Sequence, residues 1–260
     1  MISCRPHQRI TPIRQRILIT GASSGLGAGM ARAFAAEGRD LALCARRTEM
    51  LLILKAELEE RHPGITVAVA GVDVNDHARV PEVFAELGEA LGGLDRIIVN
   101  AGIGHGAPLG SGRLGADKAT IETNLIGALV QIEAAISIFN NSGGGHLVLI
   151  SSVLGAKGVP GIKAAYAASK AGVSSLGESL RAEYFGGPIR ITTIEPGYIE
   201  SEMTAKAATT AFMVDNQSGV NALVSAIERE PGRAAVPRWP WAPIVMLLKV
   251  LPPHLAARTG

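Results

Sequence analysis

Short apolar runs alternate with helical patterns along most of this sequence, and this alternation constrains the fold more than any other feature. From residue 16 to about residue 195 the rhythm is that of repeated βα units, which place parallel strands in one sheet. Each candidate strand is short and apolar, as expected of a strand covered by helices on both faces. The candidate strands are Arg16–Thr20, Leu41–Ala45, Thr66–Ala70, Arg96–Asn100, His146–Ser151 and Arg190–Ile194.

The segments between these strands carry apolar residues at three- and four-residue spacing, which is typical of helices. The candidate helices are Gly25–Glu37, Glu49–Arg61, Asp76–Leu91, Lys118–Phe139 and Ala164–Phe185. No linker interrupts the pattern, and 260 residues of which 47% are hydrophobic can bury one large core. We therefore predict an α/β fold with a doubly wound sheet of about seven parallel strands and helices on both faces.

The two ends of the chain differ in charge from its body. Residues 1–16 and residues 231–260 each hold four basic residues and no acid, and the remainder has 17 basic against 23 acidic residues. An acidic body argues against a nucleic-acid-binding core. We expect a basic flexible tail over residues 1–15, one domain over 16–238 with an irregular substrate lid at about 198–222, and an apolar segment over 239–260.

Cysteine usage and the N-terminus indicate the compartment. Cys4 and Cys44 are too few for a disulfide framework, and no His, Cys and acid grouping has metal-ligand spacing. Residues 1–16 lack the apolar run of a signal peptide. We expect a cytoplasmic protein that needs no metal, with Cys44 buried in the core.

A glycine-rich turn joins the first strand to the first helix. Gly21 permits a sharp turn, Gly25 lets the backbone approach a pyrophosphate, and Gly27 allows the helix to pack closely on the strand. The free N–H groups and the positive dipole end of the helix favour a phosphate. The candidate phosphate-binding residues are Gly21, Ser23, Ser24, Gly25, Leu26 and Gly27.

The end of the second strand indicates which nucleotide is bound. Asp40 lies 19 residues after Gly21, near the spacing at which an acid marks NAD use, but it precedes the strand instead of following it. At the carboxyl end Ala45 takes the place of the acid, and Arg46 and Arg47 follow. A guanidinium can bind a 2′-phosphate through charge-assisted hydrogen bonds, so we expect NADP(H). The alternative is that both arginines form a solvated helix entry.

A candidate catalytic group follows the fifth strand. Tyr166 and Lys170 are four residues apart on a predicted helix, so both project from one face, and Ser151 and Ser152 end the preceding strand. A phenol has an unperturbed pKa of about 10, which the positive charges of Lys170 and of an oxidised nicotinamide would lower. Tyr166 could then give a proton to a carbonyl or take one from an alcohol. Ser152 would stabilise charge on the carbonyl oxygen, and Ser151 would be packing or support.

The TGxxxGxG turn, the serine-ended strand and the YxxxK pair together resemble the short-chain dehydrogenase/reductase family over roughly residues 16–237. The resemblance implies a Rossmann-type fold and hydride transfer between the nicotinamide and a carbonyl or secondary alcohol carbon. It also implies that Lys170 holds the nicotinamide ribose and that Asn124 relays protons through water, the alternative for Asn124 being a helix-kink residue. The interval from Ser152 to Tyr166 is one residue longer than is usual in the family, so the choice of serine stays open.

Further cofactor positions are implied by the same resemblance. Asp73 and Val74 match residues around the adenine, although such a pair is equally typical of a helix cap. Asn100 could also be a structural residue of the sheet. The remaining positions are Ala101 and Gly102, which complete an Asn-Ala-Gly triplet, and Pro196, Gly197, Ile199 and Ser201 near the nicotinamide.

We expect an enzyme that reduces a small-molecule carbonyl, an apolar or acyl-type ketone. The alternative from another class is an NADP(H)-binding redox sensor or scaffold without turnover, which a ketone panel would distinguish. The resemblance further implies a homodimer or homotetramer in which the helices 118–139 and 164–185 pack against symmetry mates, with close approach permitted by Ala167, Ala168, Ala171 and Gly172.

The apolar stretch from Trp239 to Leu251 has 13 residues, and about 20 are needed to cross a bilayer. Two interpretations stay open for it. In one, a helix packs on the lid or on a neighbouring subunit. In the other, the segment, with Arg238 and Lys249, makes a weak peripheral contact with an anionic membrane surface at its inner face or covers a lipid-like substrate.

Overall fold

Seven parallel strands form one sheet in the order β3-β2-β1-β4-β5-β6-β7 in the computed structural model, which describes residues 13–204 and 212–251. Most of the predicted basic tail, the middle of the predicted lid and the end of the apolar segment lie outside the described residues. The strands are β1 Arg16–Thr20, β2 Asp40–Ala45, β3 Val67–Gly71, β4 Arg96–Val99, β5 Gly145–Ile150, β6 Ile189–Pro196 and β7 Arg233–Val236. The predicted parallel sheet is confirmed, and β7 is the strand that the sequence patterns did not locate.

Eight α-helices occur in the described ranges. They are α1 Gly25–Ala36, α2 Thr48–Arg61, α3 Arg79–Ala90, α4 Leu114–Ile121, α5 Gly127–Ser142, α6 Ala164–Glu183, α7 Asn216–Glu228 and α8 Arg238–Val250. A π-helical turn over Glu122–Ile126 joins α4 to α5, so the predicted helix 118–139 is longer and locally widened. Helix α7 begins inside the segment 198–222, which we predicted to be irregular.

The core has two layers, one on each face of the sheet. Along β1, Ile17 and Ile19 face one layer and Leu18 faces the other, because neighbouring side chains of a strand point to opposite faces. Phe34 of α1 lies in the first layer, and Phe139 of α5 lies in the second. The 29-residue run Leu114–Ser142 is long and apolar enough to cross a membrane by composition, but it contributes to this core.

A buried charge cluster occupies the amino edge of the sheet, and we call it the amino-edge cluster. Arg96 and His146, both fully buried, lie at the start of β4 and β5. Arg96 Nε donates to His146 Nδ1 at 2.8 Å, and its Nη1 donates to Glu228 at 2.6 Å. Glu230 accepts from Arg14 Nε at 2.8 Å. Burial and the neighbouring arginines lower the pKa of His146 well below its usual value, so its ring is neutral.

Candidate active site

The glycine turn lies where the strand order reverses, between the carboxyl ends of β1 and β4. Gly21 and Gly25 adopt φ of +65° and +54°, a region that L side chains rarely occupy. A Cβ built on Gly21 would lie 2.9 Å from Ala101 Cα, and one built on Gly27 would collide with the carbonyl oxygen of Gly21. The turn therefore requires glycine at these three positions.

The N-terminus of α1 fits the phosphates of a dinucleotide. Ser24 is the N-cap residue, and its side chain makes no capping hydrogen bond, which leaves the first-turn N–H groups for another acceptor. The turn also borders an open cleft, and across it Ser201 Cβ lies 3.7 Å from a Cβ built on Gly25. The loop after β6 thus reaches the turn, as its predicted cofactor role requires.

Arg46 and Arg47 both lie at the carboxyl end of β2 but turn to different neighbours. Arg47 donates to Ser23 Oγ at 3.2 Å and to Ser24 Oγ at 2.5 Å. Arg46 Nη1 lies 3.9 Å from Asp73 Oδ2, and both side chains are largely exposed. The sequence interpretation stressed Arg46, whereas the structure brings Arg47 to the turn.

Asp40 lies at the opposite end of β2, where its Oδ1 accepts from the Thr66 N–H at 2.7 Å. This carboxylate is far along the strand from the glycine turn, as expected from its place in the sequence.

Three of the minor cofactor positions make structural contacts. Asp73 Oδ1 accepts from the Asn75 N–H at 3.0 Å, which is a turn-capping contact, and Val74 is buried against Gly127. Asn100 Nδ2 donates to the Thr20 carbonyl at 2.8 Å and supports the glycine turn from below. Asn100 thus has the structural role raised as its alternative, whereas Asp73 caps a turn that precedes α3 and does not cap the helix.

Tyr166 and Lys170 lie on one face of α6, and Lys170 is buried. Its Nζ donates to the Ile150 carbonyl at 2.9 Å and lies 5.9 Å from the Tyr166 ring centroid. Burial lowers the pKa of Lys170 to about 8. Burial also raises the pKa of Tyr166, while the neighbouring Ser152 hydroxyl opposes this shift. We expected Lys170 and the oxidised nicotinamide to lower the Tyr166 pKa; in the chain alone, burial raises it, and the Lys170 ammonium donates to the Ile150 carbonyl.

The two serines after β5 have different surroundings. Ser152 caps the 3₁₀ turn Val153–Ala156 by accepting from the Leu154 N–H at 3.1 Å, and its hydroxyl interacts with Tyr166. Ser151 Oγ instead donates to the Lys170 carbonyl at 2.8 Å and lies 2.8 Å from Ser174 Oγ. The geometry favours Ser152 as the serine that faces a substrate, and Ser151 as the residue that fixes α6 to β5.

The Ser151 contacts continue into a buried polar chain. Ser174 Oγ donates to Glu195 Oε1 at 3.3 Å, and Arg233 Nε donates to Glu195 Oε2 at 2.9 Å. Glu195 stands directly before Pro196, at the end of β6. This chain therefore links the catalytic helix to the strand that carries the Pro196–Gly197 loop.

Asn124 belongs to the π-helical turn between α4 and α5. Its side chain clamps the backbone of Ile103, accepting from the N–H at 2.8 Å and donating to the carbonyl at 2.9 Å, and its Nδ2 lies 3.3 Å from Ser169 Oγ. A Cβ built on Gly102 would lie 3.1 Å from Asn124 Oδ1 and 3.5 Å from Lys170 Nζ. Asn124 is thus both a residue of a distorted helix and a neighbour of Lys170.

Three aromatic residues cluster beside Val153, and sequence reasoning assigned none of them individually to the site, although it raised the segment that contains Trp241 as a possible cover for a lipid-like substrate. The Trp241 ring packs edge-on against Tyr198 at 5.5 Å and against Phe212 at 6.1 Å between centroids. Val153, next to Ser152, packs against Trp241, and the Tyr198 hydroxyl accepts from Lys163 Nζ at 3.2 Å. Lys163 could have been found, because it precedes Tyr166 by three residues. No spacing in the sequence connects Trp241 to the loop after β6.

Other candidate groups remain outside this site. Cys44 is buried, and burial raises the pKa of its thiol to about 12. His105 is an exposed loop residue whose carbonyl accepts from Thr120. Within residues 13–204 and 212–251, no three His, Cys, Asp or Glu side chains are grouped so as to hold a metal ion.

Comparison with known proteins gives one consistent family. Residues 15–211 match the short chain dehydrogenase family. The chain is 75% identical to an uncharacterized oxidoreductase of Mycobacterium tuberculosis over 94% of this chain and 97% of the relative, and 35% identical to one of Myxococcus xanthus over 90% and 92%. The crystal structure of levodione reductase superposes with a TM-score of 0.75 at 28% identity, covering 85% of this chain and 95% of that one.

Proposed function

Because the chain belongs to the short chain dehydrogenase family of oxidoreductases, we propose that it interconverts a carbonyl compound and a secondary alcohol with NADP(H) as the cofactor. The observation that carries the proposal is the arrangement of Tyr166, Lys170 and Ser152 at the carboxyl end of β5. One phenol, one ammonium and one hydroxyl converge there beside a turn that fits a dinucleotide. Such a group of titratable residues in a cleft is typical of an acid–base site.

Tyr166 is the acid in the direction of reduction. Its phenol donates a proton to the carbonyl oxygen as that oxygen gains negative charge, and it takes a proton from the alcohol in the reverse direction. Because burial raises the pKa of this phenol, it holds its proton near neutral pH and suits the acid role. Ser152 donates a hydrogen bond to the same oxygen and fixes its position. We therefore propose that the protein acts as a reductase.

Lys170 supplies positive charge behind Tyr166 and would bind the ribose hydroxyls of the cofactor. With a pKa of about 8 it stays mostly protonated at neutral pH. Asn124 and Gly102 lie beside Lys170 Nζ, so this ammonium is close to the loop that follows β4. This is the side from which a relay can return a proton to Tyr166.

The residues present fit NADP(H), which when bound supplies the hydride that the substrate carbon gains. Gly21, Ser23, Ser24, Gly25, Leu26 and Gly27 would hold its pyrophosphate, Asn100, Ala101 and Gly102 would lie beneath it, and Gly197, Ile199 and Ser201 would flank the nicotinamide. Arg46 and Arg47 would bind the 2′-phosphate, because no acid stands at the end of β2 to repel it.

The walls of the site support an apolar or acyl-type ketone as substrate. Val153, Tyr198, Phe212 and Trp241 form the mouth, and Lys163 is the one cation among these described wall residues. Apolar side chains with few polar groups are typical of a pocket that selects by shape.

The first test is Tyr166→Phe, which removes the transferred proton and keeps the ring. We expect loss of ketone-dependent NADPH oxidation by at least about a hundredfold, within the range for general acid catalysis, with NADPH affinity unchanged. Tyr184→Phe, at the far end of the same helix, is the matched control. Turnover by Tyr166→Phe near the wild-type rate would remove this residue from the mechanism.

The second test addresses the nucleotide. Arg46→Ala and Arg47→Ala should each weaken NADPH binding by about 1 to 3 kcal/mol, the range for a hydrogen bond to a charged group, and should leave NADH binding nearly unchanged. Arg190→Ala, at the amino end of β6, is the control. A wild-type preference for NADH, measured as kcat/KM for both cofactors, would contradict the assignment.

A further inference from the structure

The outward side of helix α8 is apolar. Trp239, Met246 and Val250 are 78%, 73% and 78% exposed, and Leu247 is also exposed. Trp241 and Val245, on the inward side, are buried against the 3₁₀ turn Val153–Ala156 and β7. We call Trp239, Met246, Leu247 and Val250 the α8 outer face. A surface helix normally turns its apolar stripe inward and polar residues outward, so this face needs a partner.

The charged residues of helix α8 itself are both cations. Arg238 begins the helix and Lys249 lies in its last turn, and both are exposed. No acid occurs in the sequence from residue 231 to residue 260. Exposed tryptophan, aliphatic side chains and flanking cations are the combination that binds at an anionic lipid interface.

The α8 outer face adjoins the mouth of the candidate active site. Trp241, on the opposite side of the same helix, contacts Tyr198 and Phe212, and Phe212 is itself exposed. Ile162, in the 3₁₀ turn Gly161–Lys163, and Met203, in the segment after β6, are exposed as well. Exposed apolar side chains therefore occur on α8, beside Trp241 at Phe212, and on the segments next to Lys163 and after β6.

We propose that the α8 outer face binds the surface of an anionic lipid bilayer and holds the site entrance against it. The helix lies in the plane of the interface, with its apolar side chains among the acyl chains and Arg238 and Lys249 at the headgroups. A second copy of this chain fits less well, because α8 carries two cations and no acid with which the same helix of a partner could pair. This inference does not depend on the reaction proposed above.

The experiment uses the full chain and vesicles of phosphatidylcholine, with and without phosphatidylglycerol. We expect sedimentation with the anionic vesicles only, reversed by high salt. The emission of Trp239 should shift to the blue, while Trp239→Phe should bind without most of that shift. Met246→Ser combined with Val250→Ser should abolish sedimentation, and Lys249→Gln should weaken binding by about fivefold, the worth of one cation near such a surface.

The controls are an exposed phenylalanine and a partly exposed lysine elsewhere. Phe185 is 91% exposed and follows α6 at the amino edge, so Phe185→Ser should bind as the wild type does. Lys55→Gln, on α2, should likewise have no effect. A folded wild type that fails to sediment with anionic vesicles overturns the proposal. Normal vesicle binding by the Met246→Ser, Val250→Ser double variant would also overturn it. The same holds if the only change in this variant is a smaller oligomer in solution. Activity is not needed for any of these readouts.

Discussion

At the scale of single residues, the buried charge of Lys170 destabilises the folded state. Its ammonium is buried on α6 with one hydrogen bond, to the Ile150 carbonyl, and burial lowers its pKa from 10.5 to about 8. A shift of that size means that the folded state holds this charge at a cost of about 3 kcal/mol. Buried charges that destabilise the folded state are typical of functional sites, because an apolar side chain would pack in the same place without this cost.

We therefore expect Lys170→Met to be inactive yet more stable than the wild type at pH 7, by about 1 to 3 kcal/mol once the lost hydrogen bond is counted. Between the folded pKa of about 8 and the unfolded value of 10.5, the unfolded wild type holds more protons. Wild-type stability therefore rises with pH in this window, and the difference between the two proteins shrinks. Urea unfolding of both proteins at pH 7 and pH 10 measures this difference in stability.

Lys55→Met, on the exposed surface of α2, controls for the loss of a lysine and should show no such pH dependence. If Lys170→Met were less stable than the wild type at pH 7, burial would not be the dominant cost at this position.

At the scale of elements, the contact between the Gly197 loop and α8 joins the cofactor side of the site to the C-terminal helix. A Cβ built on Gly197 would collide with the Trp241 indole. Gly197→Ala should therefore destabilise the protein by about 1 to 3 kcal/mol through overpacking. In the double variant Gly197→Ala, Trp241→Leu, the loss of stability should be smaller than the sum of the two single losses by about 1 kcal/mol or more.

Urea midpoints of the four proteins in this cycle measure the coupling. Gly158→Ala is the control, since a Cβ there meets no heavy atom within 4 Å. If the losses of unfolding free energy from Gly197→Ala and Trp241→Leu were strictly additive, the two residues would not be coupled, and α8 would shift to accommodate the added methyl group at little cost.

The elements themselves were largely predictable from sequence, because alternating apolar runs and helical spacing determine a parallel sheet. The six predicted strands lie within one or two residues of those observed. β7 was missed because Arg233–Val236 has only four residues and a weak apolar signal. For α8, a packing helix was one of the two interpretations left open. Pro240 lies in its first turn, where proline is tolerated, whereas Pro243 lies inside the helix and the backbone at Trp239 is not helical.

The residues of the site were predictable only where they belong to one local sequence motif. The glycine turn and the Tyr166–Lys170 pair are local in sequence, and local spacing indicates local geometry. Trp241 reaches Tyr198 through tertiary packing, which no spacing encodes. The direction of the Tyr166 pKa shift also depends on burial, and burial appears only in the folded chain.

At the scale of the whole molecule, the outer surface of α6 is the feature that bears on assembly. Ala168 and Ala171 are exposed there and border a shallow groove with Val159 and Pro160. Ala167, which we expected to face a symmetry mate, is instead buried in the subunit. Small exposed side chains permit a helix of a second copy to approach closely, so we propose a homodimer or homotetramer through this surface.

Light scattering at micromolar concentration should give a multiple of 27.0 kDa for the wild type. Ala171→Arg should shift the mass toward the monomer, because a large cation cannot be accommodated in a close helix contact. Ala56→Arg, an equally small exposed residue on α2, should leave the mass unchanged. A monomeric wild type would contradict this assembly.

The amino-edge cluster also determines when the chain can fold during its synthesis. Arg14 and Glu230 are separated by 216 residues, and Arg96 and Glu228 by 132. At typical ribosomal rates, roughly 10 to 40 s pass between the appearance of Arg14 and that of its acid. Until then, burying Arg96 in β4 would leave its charge without its carboxylate partners, which is strongly unfavourable. We therefore expect the nascent sheet to close around β4 only after Glu228 and Glu230 have been synthesised, with its apolar strands exposed until then.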